Sequence, residues 1–82
     1  MLKSVQVTIE QIYVPAKYKK LLDQQKVDKL AGDILENGLK IPIHVRPDAG
    51  RYVLVEGLHR LEAAKALGEA TIDSLIVHAH RA

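Results

Sequence analysis

The stretch Val53-Leu54-Val55-Glu56-Gly57-Leu58-His59-Arg60, running on into Leu61-Glu62-Ala63-Ala64-Lys65-Ala66-Leu67-Gly68, decides how this chain is read. A β-branched run ends at a glycine, and a cationic pair stands where a helix begins. The first backbone N–H groups of a helix have no partner inside it, and the helix dipole makes that end electropositive. Glycine carries no Cβ to block an approaching ligand, and Arg60 supplies a planar fork that fits phosphate oxygens. The turn reads as a phosphate site first and as a structural connection second.

Outward from that turn, the alanines of Leu58 to Leu67 favour a helix, which Gly68 stops. Their small side chains let it lie close to a sheet. Upstream, Arg51 to Glu56 is the returning strand of a hairpin. Its partner is the alternating Ile43-His44-Val45-Arg46, and Pro47-Asp48-Ala49-Gly50 is the turn. Pro42 forbids a helix running into that strand. Before it, Val27, Leu30, Ala31, Ile34 and Leu35 recur at helical spacing over about 13 residues. Asp23 is the candidate N-cap, and Gly38, after Asn37, suits the left-handed position that ends a helix. Val5, Val7 and Ile9 alternate as a half-buried strand, which Ile12 and Val14 continue to Pro15. A basic loop, Lys17-Tyr18-Lys19-Lys20, follows. A last strand covers Ser74 to His78. The order is strand, helix, hairpin, helix, strand, which predicts one α/β (α+β) domain over residues 1–82, a small mixed β-sheet with two main helices.

Composition narrows the function classes. The 82 residues suit one domain. With neither Trp nor Phe, the core must be built from Leu, Ile, Val and Ala. The absence of cysteine removes disulfides, thiolate catalysis and cysteine–metal sites together, and fits a reducing, cytoplasmic setting. No run of about 18 apolar residues suggests a membrane span, and the N-terminus lacks the apolar region of a signal peptide. A net charge of +2 is well short of what would by itself argue for nucleic-acid binding.

Taken in their order, several segments resemble the ParB/sulfiredoxin superfamily, from about Val5 to Val77. They are the helix Lys26-Val27-Asp28-Lys29-Leu30 through Ile34, Asn37-Gly38-Leu39, Pro42-Ile43-His44-Val45, Tyr52 to Arg60, and Ala63-Ala64-Lys65-Ala66-Leu67-Gly68. The resemblance implies that Gly57, Leu58, His59 and Arg60 bind nucleotide phosphates, with Lys26 assisting. The Gly-x-His-Arg form resembles the adenine-nucleotide branch, so ATP or ADP is expected; the partition branch, with Gly-Glu-Arg-Arg, uses CTP. Lys29 and Asp33 replace hydroxyl residues of sulfiredoxin, so base and ribose contacts do not carry over. Leu58 stands where sulfiredoxin needs its cysteine, which excludes sulfinic-acid chemistry. In place of the partition branch's arginine the loop reads Pro15-Ala16-Lys17-Tyr18. The family's helix-turn-helix and dimerisation domains do not fit in 82 residues, so the chain is either a free-standing module or one domain of a longer protein.

The resemblance favours a nucleotide-binding domain of a DNA-associated protein, of partition, regulatory or nuclease type, working as a switch or hydrolase. Its rivals are a phosphotransferase of the free-amino-acid-kinase type, with Glu56 or Glu10 as base, and a non-catalytic interaction module. Glu56 is the candidate catalytic residue: it is placed to orient Arg60, to hold Mg²⁺ near a phosphate, or to act as a general base. Beside a phosphate, a protonated His59 would donate to oxygen. Lys17, Lys19, Lys20 and Lys29, with Tyr18 among them, form a patch suited to a phosphate backbone, DNA being the candidate partner and a homodimer the candidate assembly. His78 and His80, two apart on one strand, lack a third ligand, so no metal site is assigned. Thr8, Thr71 and Ser74 show no triad pattern.

Overall fold

The computed structural model describes residues 3–78. Along the chain it gives β1 (Val5–Thr8), a 3₁₀ turn (Ile9–Gln11), β2 (Ile12–Tyr13), α1 (Ala16–Lys19), α2 (Gln24–Asn37), β3 (Ile43–Asp48), β4 (Arg51–Glu56), α3 (Leu58–Ala66) and β5 (Thr71–Ile76). The five strands form one mixed sheet in the order β1-β5-β3-β4-β2. β1 runs antiparallel to β5, β5 parallel to β3, β3 antiparallel to β4, and β4 parallel to β2. The α+β class and the two main helices are as the sequence predicts.

The first strand is not continuous. β1 lies on one edge of the sheet and β2 on the other, with only the 3₁₀ turn between them. Two edges joined by three residues must lie close in space, so the sheet is strongly curled. Ile9 is buried within the turn, and its N–H donates to the Ala70 carbonyl.

The hairpin turn is shorter than the sequence predicts. Strand pairing continues to Asp48 opposite Arg51, leaving Ala49 and Gly50 as the two turn residues, both at positive φ. Pro47 sits in β3 opposite Tyr52. One step from the turn-closing pair, alternation of the ladder brings it to a position where β4 does not require its missing N–H.

On α2, the Asp23 carboxylate accepts from the Gln25 N–H at 3.0 Å, the expected N-cap. Leu35 departs from the expected apolar face and is 75% exposed. At 100° per residue it falls on the flank of the stripe made by Val27, Leu30, Ala31 and Ile34, beyond what α3 covers. Gly38 ends the helix at φ 80, ψ 168, an extended mirror-image conformation that is nearly glycine's alone. α3 closes with a Schellman pattern: Gly68 N–H donates to the Lys65 carbonyl and Glu69 N–H to that of Ala64.

β5 begins at Thr71, three residues before the expected Ser74, and ends at Ile76. The reason is its pairing with β1, which starts at Thr8 opposite Thr71. His78, expected in this strand, is outside it and exposed; His80 lies outside the described residues. The core joins Val7, Ile9, Ile12, Val14, Ile43, Val45, Leu54, Leu61, Ala64 and Ile72, aliphatic throughout. Ser74, fully buried, donates its hydroxyl to the Ile72 carbonyl. Among the described residues no helix is long and apolar enough to cross a membrane.

Candidate functional site

β4 delivers the chain to Gly57, which turns it into α3 with φ 108 and ψ 32, a left-handed conformation that costs other residues strain. The fold gives this glycine a reason of its own. A Cβ there would stand 2.6 Å from Ile43 Cγ2 and 2.9 Å from Ile43 Cβ. Ile43 is wholly buried, so the glycine lets the start of α3 seat directly on β3. No side chain caps this helix. Leu61 N–H is the first to bond within it, to the Gly57 carbonyl, so the N–H groups of Leu58, His59 and Arg60 have no partner inside the helix.

Arg60 folds back over the glycine, its Nη2 3.1 Å from where a Gly57 Cβ would be. Its side chain is only 19% exposed, and Nη2 is 3.8 Å from Glu56 Oε2. The Nε–H is buried without a hydrogen-bond partner. Glu56 itself is 66% exposed and also lies 3.9 Å from His44 Nδ1. Of its three expected roles, this geometry matches the orienting of Arg60. Among the described residues no three His, Asp or Glu side chains gather into a metal-holding group.

His59 is already engaged. Its Nε2 accepts the Asp23 backbone N–H at 3.0 Å, joining the first turn of α3 to the cap of α2. Nε2 is therefore unprotonated in this structure, not the donor of an imidazolium.

Gly57, Leu58, His59 and Arg60 form one wall of an open cleft of about 410 Å³ between α2, α3 and the loop that follows α2. Leu30, Ile34, Leu39 and Ile41 make its apolar side; Asp33 and Lys40 are the charged residues of α2 and the loop. Lys26 does not line the cleft. It is exposed, one helical turn before Leu30 on the same face of α2. Lys40 was not singled out in the sequence, because a lone lysine in a loop carries no periodic signal. A second cleft, of about 220 Å³, shares Glu56, Gly57, Leu58 and His59 and is otherwise apolar, with Tyr18, Leu21, Leu54 and Val55.

The basic segment is partly helical, as α1, and divides. Tyr18 is half-buried against the core; its hydroxyl donates to the Val55 carbonyl at 3.1 Å. It is thus a packing residue with one ring face under Lys17, whose Nζ is 5.3 Å from the ring centre, and not a free stacking platform. Lys17 lines a third cleft, of about 270 Å³, together with Arg46 and His78 and no acidic residue. Lys19, Lys20 and Lys29 are exposed and line none of these clefts. Neither Arg46 nor His78 is near Lys17 in sequence; the pairing of β3 with β4 and the end of β5 bring them together.

Against known proteins, the sequence matches the ParB N-terminal domain family over residues 2–82. It is 39% identical over 75 residues to the probable chromosome-partitioning protein ParB of Campylobacter jejuni, covering 90% of this chain and 27% of that protein. The chain thus spans about a quarter of that relative's length. Sulfiredoxin from Arabidopsis thaliana superposes with a TM-score of 0.83 at 36% identity, over 93% of this chain and 85% of the other. The C-terminally truncated ParB of Caulobacter crescentus, complexed with CTP-γ-S, gives 0.81 at 28% identity, over 94% of this chain and 45% of the other.

Proposed function

Because the chain belongs to the ParB N-terminal domain family, we propose that it is a nucleotide-binding domain of a DNA-associated protein, holding the nucleotide's phosphates at the start of α3. One observation carries the reading. The buried Arg60 Nε–H lacks a partner beside three backbone N–H groups that the helix leaves free. An unpaired buried donor costs about 1–3 kcal/mol, and a phosphate oxygen would satisfy it.

In this reading Leu58, His59 and Arg60 offer their N–H groups and Arg60 its guanidinium, while Lys26 reaches in from α2. The nucleoside lies along Leu30, Ile34, Leu39 and Ile41, and Asp33, which lines the same cleft, accepts from a ribose hydroxyl. Glu56 holds Arg60 when no anion is present. Mg²⁺, where it takes part, arrives with the phosphates. The Gly-x-His-Arg turn favours ATP or ADP; the CTP-γ-S bound by the Caulobacter protein makes CTP the rival. With no cysteine in the chain, the site does not perform sulfiredoxin's chemistry. Bound nucleotide acts as a switch, altering the surface that DNA or a second subunit reads.

The test is a panel of ATP, ADP and CTP read by thermal shift. At about 100 times Kd a ligand stabilises the native state by about 2.7 kcal/mol, which for a domain of this size is a rise of roughly 10 °C or more. No shift with any of the three at millimolar concentration removes the reading. Phosphate transfer to a small hydroxyl compound would instead assign a phosphotransferase.

A further inference from the structure

We infer that the Asp23 backbone N–H fixes the tautomer of His59, so that the imidazole serves the phosphate site as a neutral donor through Nδ1–H. The inference rests on the phosphate reading above and adds to it the chemical form of one residue.

A neutral imidazole has one N–H and one acceptor nitrogen. Nε2 accepts from Asp23 N–H at 3.0 Å, so the proton belongs to Nδ1. This donor is not free to turn away, because Asp23 is held in its turn. The Asp23 carboxylate accepts from Gln25 N–H, and its carbonyl accepts from Val27 N–H at 3.1 Å. Val27 is among the most buried residues of the chain. The backbone group that polarises His59 is therefore anchored to the core through the first turn of α2.

The geometry of the ring does the rest. Nδ1 is bonded to Cγ and stays close to the residue's own backbone, whereas Nε2 is at the far end. With Nε2 turned to α2, Nδ1–H is left near the first turn of α3. It joins the N–H groups of Leu58, His59 and Arg60 as one more donor where an anion would rest. His59 lines both clefts that meet there. Other ionisable groups lining these clefts are Glu56, Arg60, Asp33 and Lys40 in the first and Glu56 and Tyr18 in the second. The positive charge of the site comes from Arg60, with Lys26 and Lys40, and does not require an imidazolium. A doubly protonated ring would lose its bond to Asp23, since both nitrogens would then be donors. His59 is thus a positioning contact as well as a donor: it ties the phosphate turn to the α2 terminus that carries Lys26.

Two measurements on the full chain test this. Long-range ¹H–¹⁵N spectra at pH 7.5 report the protonation of each ring nitrogen of His59. The Nδ1–H form is expected without ligand, and again with saturating ATP, ADP or CTP, whichever binds. The variants separate the two nitrogens. His59→Asn keeps a donor near Nδ1 but cannot reach Asp23. His59→Gln keeps an acceptor near Nε2 but offers no Nδ1–H. Nucleotide affinity is expected to fall by roughly tenfold in His59→Gln and less than threefold in His59→Asn, while the Asp23 amide resonance moves in His59→Asn and stays in His59→Gln. An Nε2–H ring without ligand, or an imidazolium in the bound form, overturns the inference and leaves the phosphate reading standing. A chain that binds none of the three nucleotides overturns the phosphate reading instead, which the thermal panel detects independently.

Discussion

Arg60 and Gly57 stand three residues apart in one turn but are opposite in what they contribute. In the proposed reading Arg60 is a binding residue, carried at a cost: a buried Nε–H without partner and an ion pair to an exposed carboxylate, worth little in water. Arg60→Ala is expected to leave the melting temperature without ligand within a few degrees and to lower nucleotide affinity by about 1.5–3 kcal/mol, roughly ten- to a hundredfold, as loss of a charge-assisted contact implies. Titration of the variant with nucleotide checks it, and unchanged affinity would remove Arg60 from the site. Gly57 is a folding residue. A methyl group would strike Ile43 in the core, and φ 108 penalises any side chain. Gly57→Ala is expected to cost about 2–4 kcal/mol, from the strain and overpacking together, read as a lower urea midpoint at unchanged slope. That the turn ends a strand at a glycine and opens a helix with a cationic pair was legible from residue type. That its glycine is demanded by Ile43 was not, because the contact joins residues from different elements.

The elements show which local signals survive tertiary context. The N-cap at Asp23, the stop at Gly38 and the α3 span were legible because caps and breakers act within a few residues. The break between β1 and β2 left a trace as well: Val5, Val7 and Ile9 keep one phase of alternation, while Ile12 and Val14 keep the other. A slip of phase within a strand pattern marks a change of pairing partner. The start of β5 left none, since Thr71 is drawn into the sheet by Thr8 on a strand more than sixty residues away in sequence. The hairpin turn holds the clearest local conflict. Ala49 sits at φ 48 before Gly50 at φ 83, the primed geometry that asparagine–glycine favours and alanine resists. Ala49→Asn is expected to raise stability by about 0.5–1 kcal/mol without touching any cleft, visible as a higher thermal midpoint with nucleotide affinity unchanged. A lower midpoint would mean that the turn is not of this type.

At the scale of the molecule, curling the sheet separates two charged regions. The cleft of the proposed phosphate site opens between α2 and α3, whereas Lys17, Arg46 and His78 line the third cleft, bounded by β4 and the residues around α1. Every arginine but one among residues 3–78 is in an ion pair; Arg46 is the exception, and it is half-buried in the sheet. The lysine-rich segment read from the sequence as a single DNA-tracking patch is therefore unequal in its parts. Lys17 shares a shaped, acid-free cleft with a second fixed cation, while Lys19, Lys20 and Lys29 project singly into solvent. If DNA is the partner, the fixed pair should dominate. Binding of a labelled duplex, followed as the salt concentration rises, reports the number of phosphates neutralised through the slope of log K against log salt. Removing both Lys17 and Arg46 by alanine substitution is expected to lower that slope by about two phosphates' worth, while Lys19→Ala with Lys29→Ala changes it by less. The nucleotide response should persist in both variants, since none of these four residues lines the phosphate cleft. Equal loss in the two double variants would mean that DNA reads overall charge and not this face. Loss of the nucleotide response in the first would mean that the two regions are one site, the curled sheet passing an anion's presence from α3 across β4 to α1.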